Sequence, residues 1–377
     1  MDVLEGDDKA QRQGAGLGQT LEHLPGVSSV STGNNVGKPV IRGLSGNRVR
    51  ILSNGTGVDH QQYGTRHAPN IDPFLSDRIE VVRGVSGILY GSDALGGAID
   101  VQSQPLGFSD DGARHTDGEG ITGFHSNNDQ WNNGFKLGSR GEHWSFSAGV
   151  MRREADNTEV PDDQTAFNPE TPSPFQSKEP SDTPAYTGTL PFTDFEQTNG
   201  QLGIGYRDDF GAVRLRYQGW RNEHNFLLPP PAGNPPVTQP DGIGQDLDND
   251  EVQLSAELPV ASEPDWTLKP SFTWQNNRRR SNAAGNPRSE LFDGNIDVEF
   301  DQYTARLEAE HGLVGPFDAG TVGLEYRRKE QVSRGTTQLA PGGEVDNLAA
   351  FVFEERSFGP VTLQAGLRHD RVETVGD

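Results

Sequence analysis

The 377-residue chain carries 55 Asp and Glu against 32 Lys and Arg, a formal net charge of −23. That balance excludes nucleic acid as a partner, because a phosphate backbone demands cationic side chains in excess. With no cysteine, disulfide frameworks, thiol nucleophiles and thiolate metal sites are excluded as well.

The mean hydropathy of −0.70 describes a polar chain, and no run approaches the ~18 apolar residues that a membrane helix needs. A transmembrane barrel remains open, because its strands turn every second residue toward water or the lumen. The 47 glycines fall inside segments that alternate with aromatics, where strands that bend and close need residues without a Cβ. Met1 is followed by Asp2, Glu5, Asp7 and Asp8 rather than by a basic and apolar export segment, so a natural N-terminus is expected upstream.

Residues 1–105 read as a mixed α/β unit. Gln19 to Leu24 suit a short helix ending at Pro25-Gly26. Val40-Ile41, Arg48 to Leu52, and Arg78 to Arg83 with Ile79, Val81 and Val82 suit short strands, and Ala98 to Val101 close the unit.

From residue 106 to 377 the pattern becomes period-two alternation. Trp144, Phe146, Ala148 and Val150 share one face against Ser145, Ser147 and Gly149, and Val252, Leu254, Ala256 and Leu258 oppose Gln253, Ser255 and Glu257. Eleven strands are predicted, at 118–127, 133–140, 143–153, 195–207, 212–224, 250–258, 266–280, 294–310, 319–330, 346–357 and 360–372. Tight or modest links at 140–142, 208–211, 259–265, 311–318 and 358–359 alternate with long excursions at 154–194, 225–249, 281–293 and 331–345. Long loops on one side and short turns on the other are the meander of an outer-membrane barrel, and a soluble sandwich has no reason to segregate them.

The first unit also carries ordered motifs: Leu24-Pro25-Gly26-Val27, Val40-Ile41-Arg42-Gly43-Leu44, Asp77-Arg78-Ile79-Glu80-Val81-Val82-Arg83-Gly84 and Ile88-Leu89-Tyr90-Gly91-Ser92-Asp93-Ala94-Leu95-Gly96-Gly97-Ala98-Ile99. In this order they resemble the plug of TonB-dependent receptors. Phe358-Gly359-Pro360 running into Leu363 to Asp370 is similar to a mid-barrel segment of the same family. Departures stand at Val85, where proline is usual, at Ser53-Asn54-Gly55, and at the exit Asp100-Val101-Gln102-Ser103.

The resemblance implies a plug domain followed by an antiparallel transmembrane β-barrel, present here to about half of the family's 22 strands. An open sheet edge in lipid leaves N–H and C=O groups unsatisfied, so the chain is expected to be a fragment and not a working transporter alone. It further implies a Gram-negative outer-membrane receptor, not an enzyme. Its partners would be TonB with ExbB and ExbD on the periplasmic side, outer-membrane lipid and lipopolysaccharide around the wall, and a small-molecule or metal ligand. Arg42, Glu80 and Arg83 resemble charged residues that tie plug to wall.

Asp59, His60, Tyr63, His67 and Asp72 are the candidate ligand-binding residues, with His60, His67 and Asp59 as a metal set. Neutral imidazole with carboxylate suits zinc, although a His spacing of seven is no standard motif, and surface histidines are the alternative. Acidic residues from Glu154 to Asp194 would concentrate cations, or simply form a solvated loop. Asp246, Asp248 and Asp250 approach a calcium-loop spacing without its glycine and closing glutamate. Arg278-Arg279-Arg280 is expected at the outer rim. No cofactor is required on this reading, and zinc or an iron complex would be cargo. The competing readings are an iron-siderophore receptor and a surface adhesion barrel.

Overall fold

The computed structural model describes residues 2–14, 16–31, 37–58, 68–91, 94–160, 188–228, 241–262, 265–282, 295–338 and 341–376. In the first unit the elements run β1 (Asp2–Glu5), α1 (Gly6–Arg12), α2 (Leu17–Leu21), β2 (Val27–Ser31), β3 (Gly37–Ile41), β4 (Val49–Ser53), β5 (Thr56–Gly57), β6 (Ser76–Val82) and β7 (Gly97–Ser103). Two 3-10 turns, Gly46–Arg48 and Val85–Tyr90, interrupt them. A five-stranded sheet has the order β1-β6-β7-β4-β5, with β4 and β7 parallel, and β2 pairs with β3 alone.

The sheet's Ile51, Ile79, Val81, Ile99 and Val101 pack against Leu17, Leu21 and Leu24 of the α2 region, giving one apolar core. Each such side chain contributes ~1.5–3 kcal/mol on leaving water. Gly97 (φ 135°) is where the chain needs glycine, because a Cβ there would stand 2.5 Å from the Val82 carbonyl oxygen. The predicted helix is present but begins and ends earlier. Unforeseen is α1, whose Asp7 and Asp8 in the first turn and Arg12 in the last oppose its dipole favourably.

The second sheet has eleven antiparallel strands: β8 (His115–His125), β9 (Gln130–Arg140), β10 (Trp144–Ala155), β13 (Phe195–Asp208), β14 (Gly211–Leu228), β15 (Asp241–Ser262), β16 (Asp265–Ser281), β17 (Ile296–His311), β18 (Ala319–Ser333), β19 (Gly343–Phe358) and β20 (Val361–Gly376). A minor hairpin, β11 (Glu159–Val160) with β12 (Gly188–Thr189), lies between β10 and β13. Each large strand pairs with its sequence neighbour, and the short connections at 141–143, 209–210, 312–318 and 359–360 all fall at one end.

One face of this sheet is exposed and apolar. Phe146, Ile204, Leu215, Leu254, Phe272, Ala305, Tyr326 and Leu348 form an unbroken cross-strand row. Tyr217, Val252, Trp274 and Tyr303 form a second row above it, and Trp144 and Tyr206 (4.8 Å between ring centroids) stand at the short-turn end. Aromatics bounding an apolar band are what a lipid-facing wall presents.

Strands β14 and β15 correct the predicted excursion 225–249, because paired strand continues to Leu228 and resumes at Asp241. Asp246, Asp248 and Asp250 therefore hold no calcium-type loop; they lie on the same face as Val252 and Leu254, beyond the aromatic row. Arg280 pairs with Asp246 and Asp248, and Arg221 with Asp248 (3.3 Å) and Asp250 (2.8 Å). A strand needs ~9–11 residues to cross a bilayer, and β14 and β15, at 18 and 22 residues, are long enough to extend beyond one, where alternation need not separate apolar from polar.

Candidate functional site

The opposite face of the eleven-stranded sheet carries Gln, Asn, Ser, Thr and Arg, and the first unit is seated on it. Gln201, Gln218, Glu251, Gln275 and Gln302 are cross-strand partners in one row across β13 to β17. Within the row the Gln275 amide donates to the Glu251 carboxylate (2.7 Å), and the Gln302 amide donates to the Gln275 carbonyl (2.8 Å).

The turn between β4 and β5 docks on this belt. Ser53 Oγ donates to Glu251 (2.9 Å), and the hydroxyls of Thr56 and Thr273 share a hydrogen bond (2.9 Å). The Gln253 amide donates to the Asn54 carbonyl (3.0 Å), and Gln302 to the Gly57 carbonyl (3.0 Å). Nearby, the buried Asp100 accepts from Gly55 N (2.9 Å) and the Gln102 amide (3.0 Å); burial pushes its carboxyl pKa up.

A second anchor centres on Asp72. Its carboxylate pairs with the Arg153 guanidinium (one contact at 3.0 Å), accepts from the amides of Asn199 (2.5 Å) and Gln197 (3.5 Å), and caps Phe74 N (2.8 Å). Both ionic side chains are about 1–2% exposed. A buried pair of this kind is tolerated because every oxygen is satisfied by a donor. Phe74 and Leu75 then pack with Met151 in a notch floored by glycine. A Cβ at Gly134 would lie 2.5 Å from Met151 Sδ and 2.7 Å from the Phe74 ring, and one at Gly149 would lie 3.0 Å from Leu75.

The same segment is also held by two cations. Lys9 Nζ donates to the carbonyls of Pro73 (2.9 Å) and Ser76 (2.8 Å), and Lys136 Nζ also donates to Ser76 (3.3 Å). Burial, with Lys136 adding like-charge repulsion, lowers the Lys9 pKa to about 8. At a third anchor, Arg306 donates to the Leu89 carbonyl (3.0 Å) while paired with Glu308 and Glu325.

Of the sequence-nominated residues, Asp59, His60, Tyr63 and His67 lie outside the described residues. The structure places Asp72 in the plug–wall anchor, with its carboxylate committed to wall donors rather than open to a ligand. Arg42 sits exposed in a turn at φ 50°, Glu80 accepts from Arg78 (2.7 Å), and Arg83 donates to the Pro25 carbonyl (2.8 Å) and pairs with Asp2. Those described contacts of Glu80 and Arg83 stay within the first unit. The groups that bridge to the wall, Ser53, Thr56 and Asp72 with Arg153, Glu251, Gln253 and Gln302, were not singled out as a set. Their signal was present as the inward runs Gln197-Asn199-Gln201 of β13 and Asn249-Glu251-Gln253 of β15, with Arg153 as the lone inward cation of β10.

Comparison with known proteins agrees with this architecture. The family model "TonB-dependent Receptor Plug Domain" matches residues 1–98, and "TonB dependent receptor-like, beta-barrel" matches residues 193–377. The hemin receptor of Yersinia pestis is 36% identical over 100 residues, 26% of this chain and 14% of that protein. The vitamin B12 transporter of Photobacterium profundum is 32% identical over 90 residues, 24% of this chain and 15% of its own length. Among solved structures, the copper transporter OprC superposes with a TM-score of 0.72 at 18% identity, covering 96% of this chain and 54% of that one. The chain thus spans about half the length of the solved neighbour and aligns with a far smaller share of the curated relatives. With plug and barrel matched in that order, and with a structure that seats the one on the polar face of the other, this chain belongs to the TonB-dependent receptors.

Proposed function

We propose that residues 1–105 plug, and residues 106–377 partly wall, an outer-membrane receptor that takes a scarce ligand from outside and releases it to the periplasm when TonB pulls on the plug. The long-connection end is then extracellular and the short-turn end periplasmic. ExbB and ExbD energise TonB in this scheme, and lipopolysaccharide surrounds the outer rim.

The observation that carries the reading is the character of the plug–wall contact. Apart from the Phe74–Leu75 notch, the described anchors are side-chain amides, hydroxyls and ion pairs, which can exchange protein partners for water as the plug shifts. A dry apolar interface would oppose such movement.

The favoured cargo is a metal ion or metal complex. Hemin, vitamin B12 and copper appear in the names of similar proteins, and each is a metal or a metal-centred macrocycle. His60, His67, Asp59 and Tyr63 are the proposed ligand contacts. An iron-siderophore complex is the second reading within the same class.

The test is uptake of labelled hemin, cobalamin, copper, zinc and ferric siderophore by cells carrying the gene, with and without an intact tonB locus. The reading expects TonB-dependent accumulation of at least one. Equal accumulation of every compound in both strains would overturn it.

A further inference from the structure

Between plug and wall, toward the short-turn end, lies a cavity of about 580 Å³. The plug contributes Thr56, Tyr90 and Asp100, and the wall contributes Arg214, Arg216 and Arg306 among others. Its charges are nearly all matched. Arg214 pairs with Glu257 (3.1 Å) and donates to the Leu106 carbonyl (3.0 Å), Lys269 pairs with Glu310 (2.6 Å), and Arg306 pairs with Glu308 (2.6 Å).

Arg216 differs. Among the described residues it makes no ion pair and no hydrogen bond, and its Nε is buried without a partner. The nearest acidic groups are engaged elsewhere: Glu251 accepts from Ser53 and Gln275, and Glu257 is taken by Arg214. The remaining carboxyl on the cavity wall, Asp100, is saturated by Gly55 and Gln102, and burial favours its neutral form.

Arg216 is half-buried with its Nε shut off from any partner, and Glu257 and Glu251 attract it only from a distance, so a guanidinium partly stripped of water goes without a direct hydrogen-bonded counter-charge, which is costly. The guanidinium fork matches the oxygens of a phosphate or carboxylate in bidentate geometry. Ser255 and Ser271, directly opposite one another on β15 and β16, place two hydroxyls on the same cavity wall.

We propose that this plug–wall cavity is a binding site for a small oxyanion, a phosphate or carboxylate group, held by Arg216. The inference depends on the cavity and its charge pairing, so transport and oxyanion binding can fail separately. A free ion and an anionic group borne on a larger molecule share the chemistry, and the experiment separates them.

The test is calorimetric titration of the full chain, folded in detergent, with inorganic phosphate. Saturable binding is expected, weakened on the order of tenfold or more in Arg216→Gln through loss of a charge-assisted pair. Arg216→Lys should retain part of the affinity as a point charge, and Arg214→Gln should change it little, because that guanidinium is already paired. Glucose 6-phosphate competing with phosphate would assign the site to a group carried by a larger molecule, and lack of competition would assign it to the free ion. Wild-type protein that fails to bind phosphate saturably, or Arg216→Gln and Arg216→Lys proteins that fold and bind like wild type, would overturn the proposal.

Discussion

The interior of the plug and its seat on the wall are built from different materials. Inside, Ile51, Ile79, Val81 and Ile99 pack against Leu17 and Leu21 without a polar group among them. At the seat, Asp72 meets Arg153, Thr56 meets Thr273, and Gln302 reaches the Gly57 carbonyl. Hydrophobic burial is non-directional and is lost only when the core opens, whereas a hydrogen bond can be traded for one to water at small net cost. The contrast teaches how a domain can keep its fold while its attachment is remade.

The largest expected effect attacks the seat. Arg153→Ala leaves the Asp72 carboxylate buried without its counter-charge, and should weaken docking of residues 68–76 by about 3–5 kcal/mol, read from their hydrogen exchange. The double variant Arg153→Ala/Asp72→Asn should recover part of that loss; no recovery would place the energy elsewhere.

Attacking the core instead, Ile99→Ala should cost about 2–5 kcal/mol and expose β6 and β7 to protease while the barrel strands stay protected. Gly134→Ala sharpens the comparison at the one apolar part of the seat. Its new Cβ must displace Met151 or Phe74, at about 1–3 kcal/mol, and the loosening should be confined to residues 72–76.

Smaller still, Gln302→Ala removes one amide contact to the turn at Gly57 and should cost about 1 kcal/mol in local opening. Lys9 gives a pH signature. Its pKa is lowered from 10.5 to about 8, so between those values the undocked chain holds more protons than the native one. Protection of α1 should therefore rise as pH increases from 8 to 10.5 and be level below 8; a fall across that window would contradict the assignment.

The wall was legible because lipid imposes a rule that sequence must obey. Trp144, Phe146 and Val150 against Ser145, Ser147 and Gly149 can only be a strand between two unlike media, and each of the eleven predicted strands has its counterpart. The rule lapses beyond the lipid, which is why Asp246 to Asp250 read as loop although Arg221 and Arg280 hold them in a sheet. In the plug, α1 escaped notice because seven mostly polar residues carry little helical signal; Lys9, reaching Pro73 and Ser76 more than sixty positions away, ties it in place.

The seat was less legible than the wall for a related reason. Asp72 stands close in sequence to His60 and His67, which suggested a shared ligand-binding segment, yet its partner Arg153 lies 81 residues on. Nothing local to either residue specifies the other. Arg42, Glu80 and Arg83 stand out by likeness to a family motif, and the described partners of Glu80 and Arg83 are Arg78, Pro25 and Asp2 within the plug.

The most direct test of this division is native-state hydrogen exchange in rising urea, comparing amides of residues 54–57 and 68–75 with those of β4, β6 and β7. Seat amides are predicted to open first, at urea concentrations that leave the core strands protected. A single transition in which seat and core exchange together would show that the plug does not hold its fold independently of the wall.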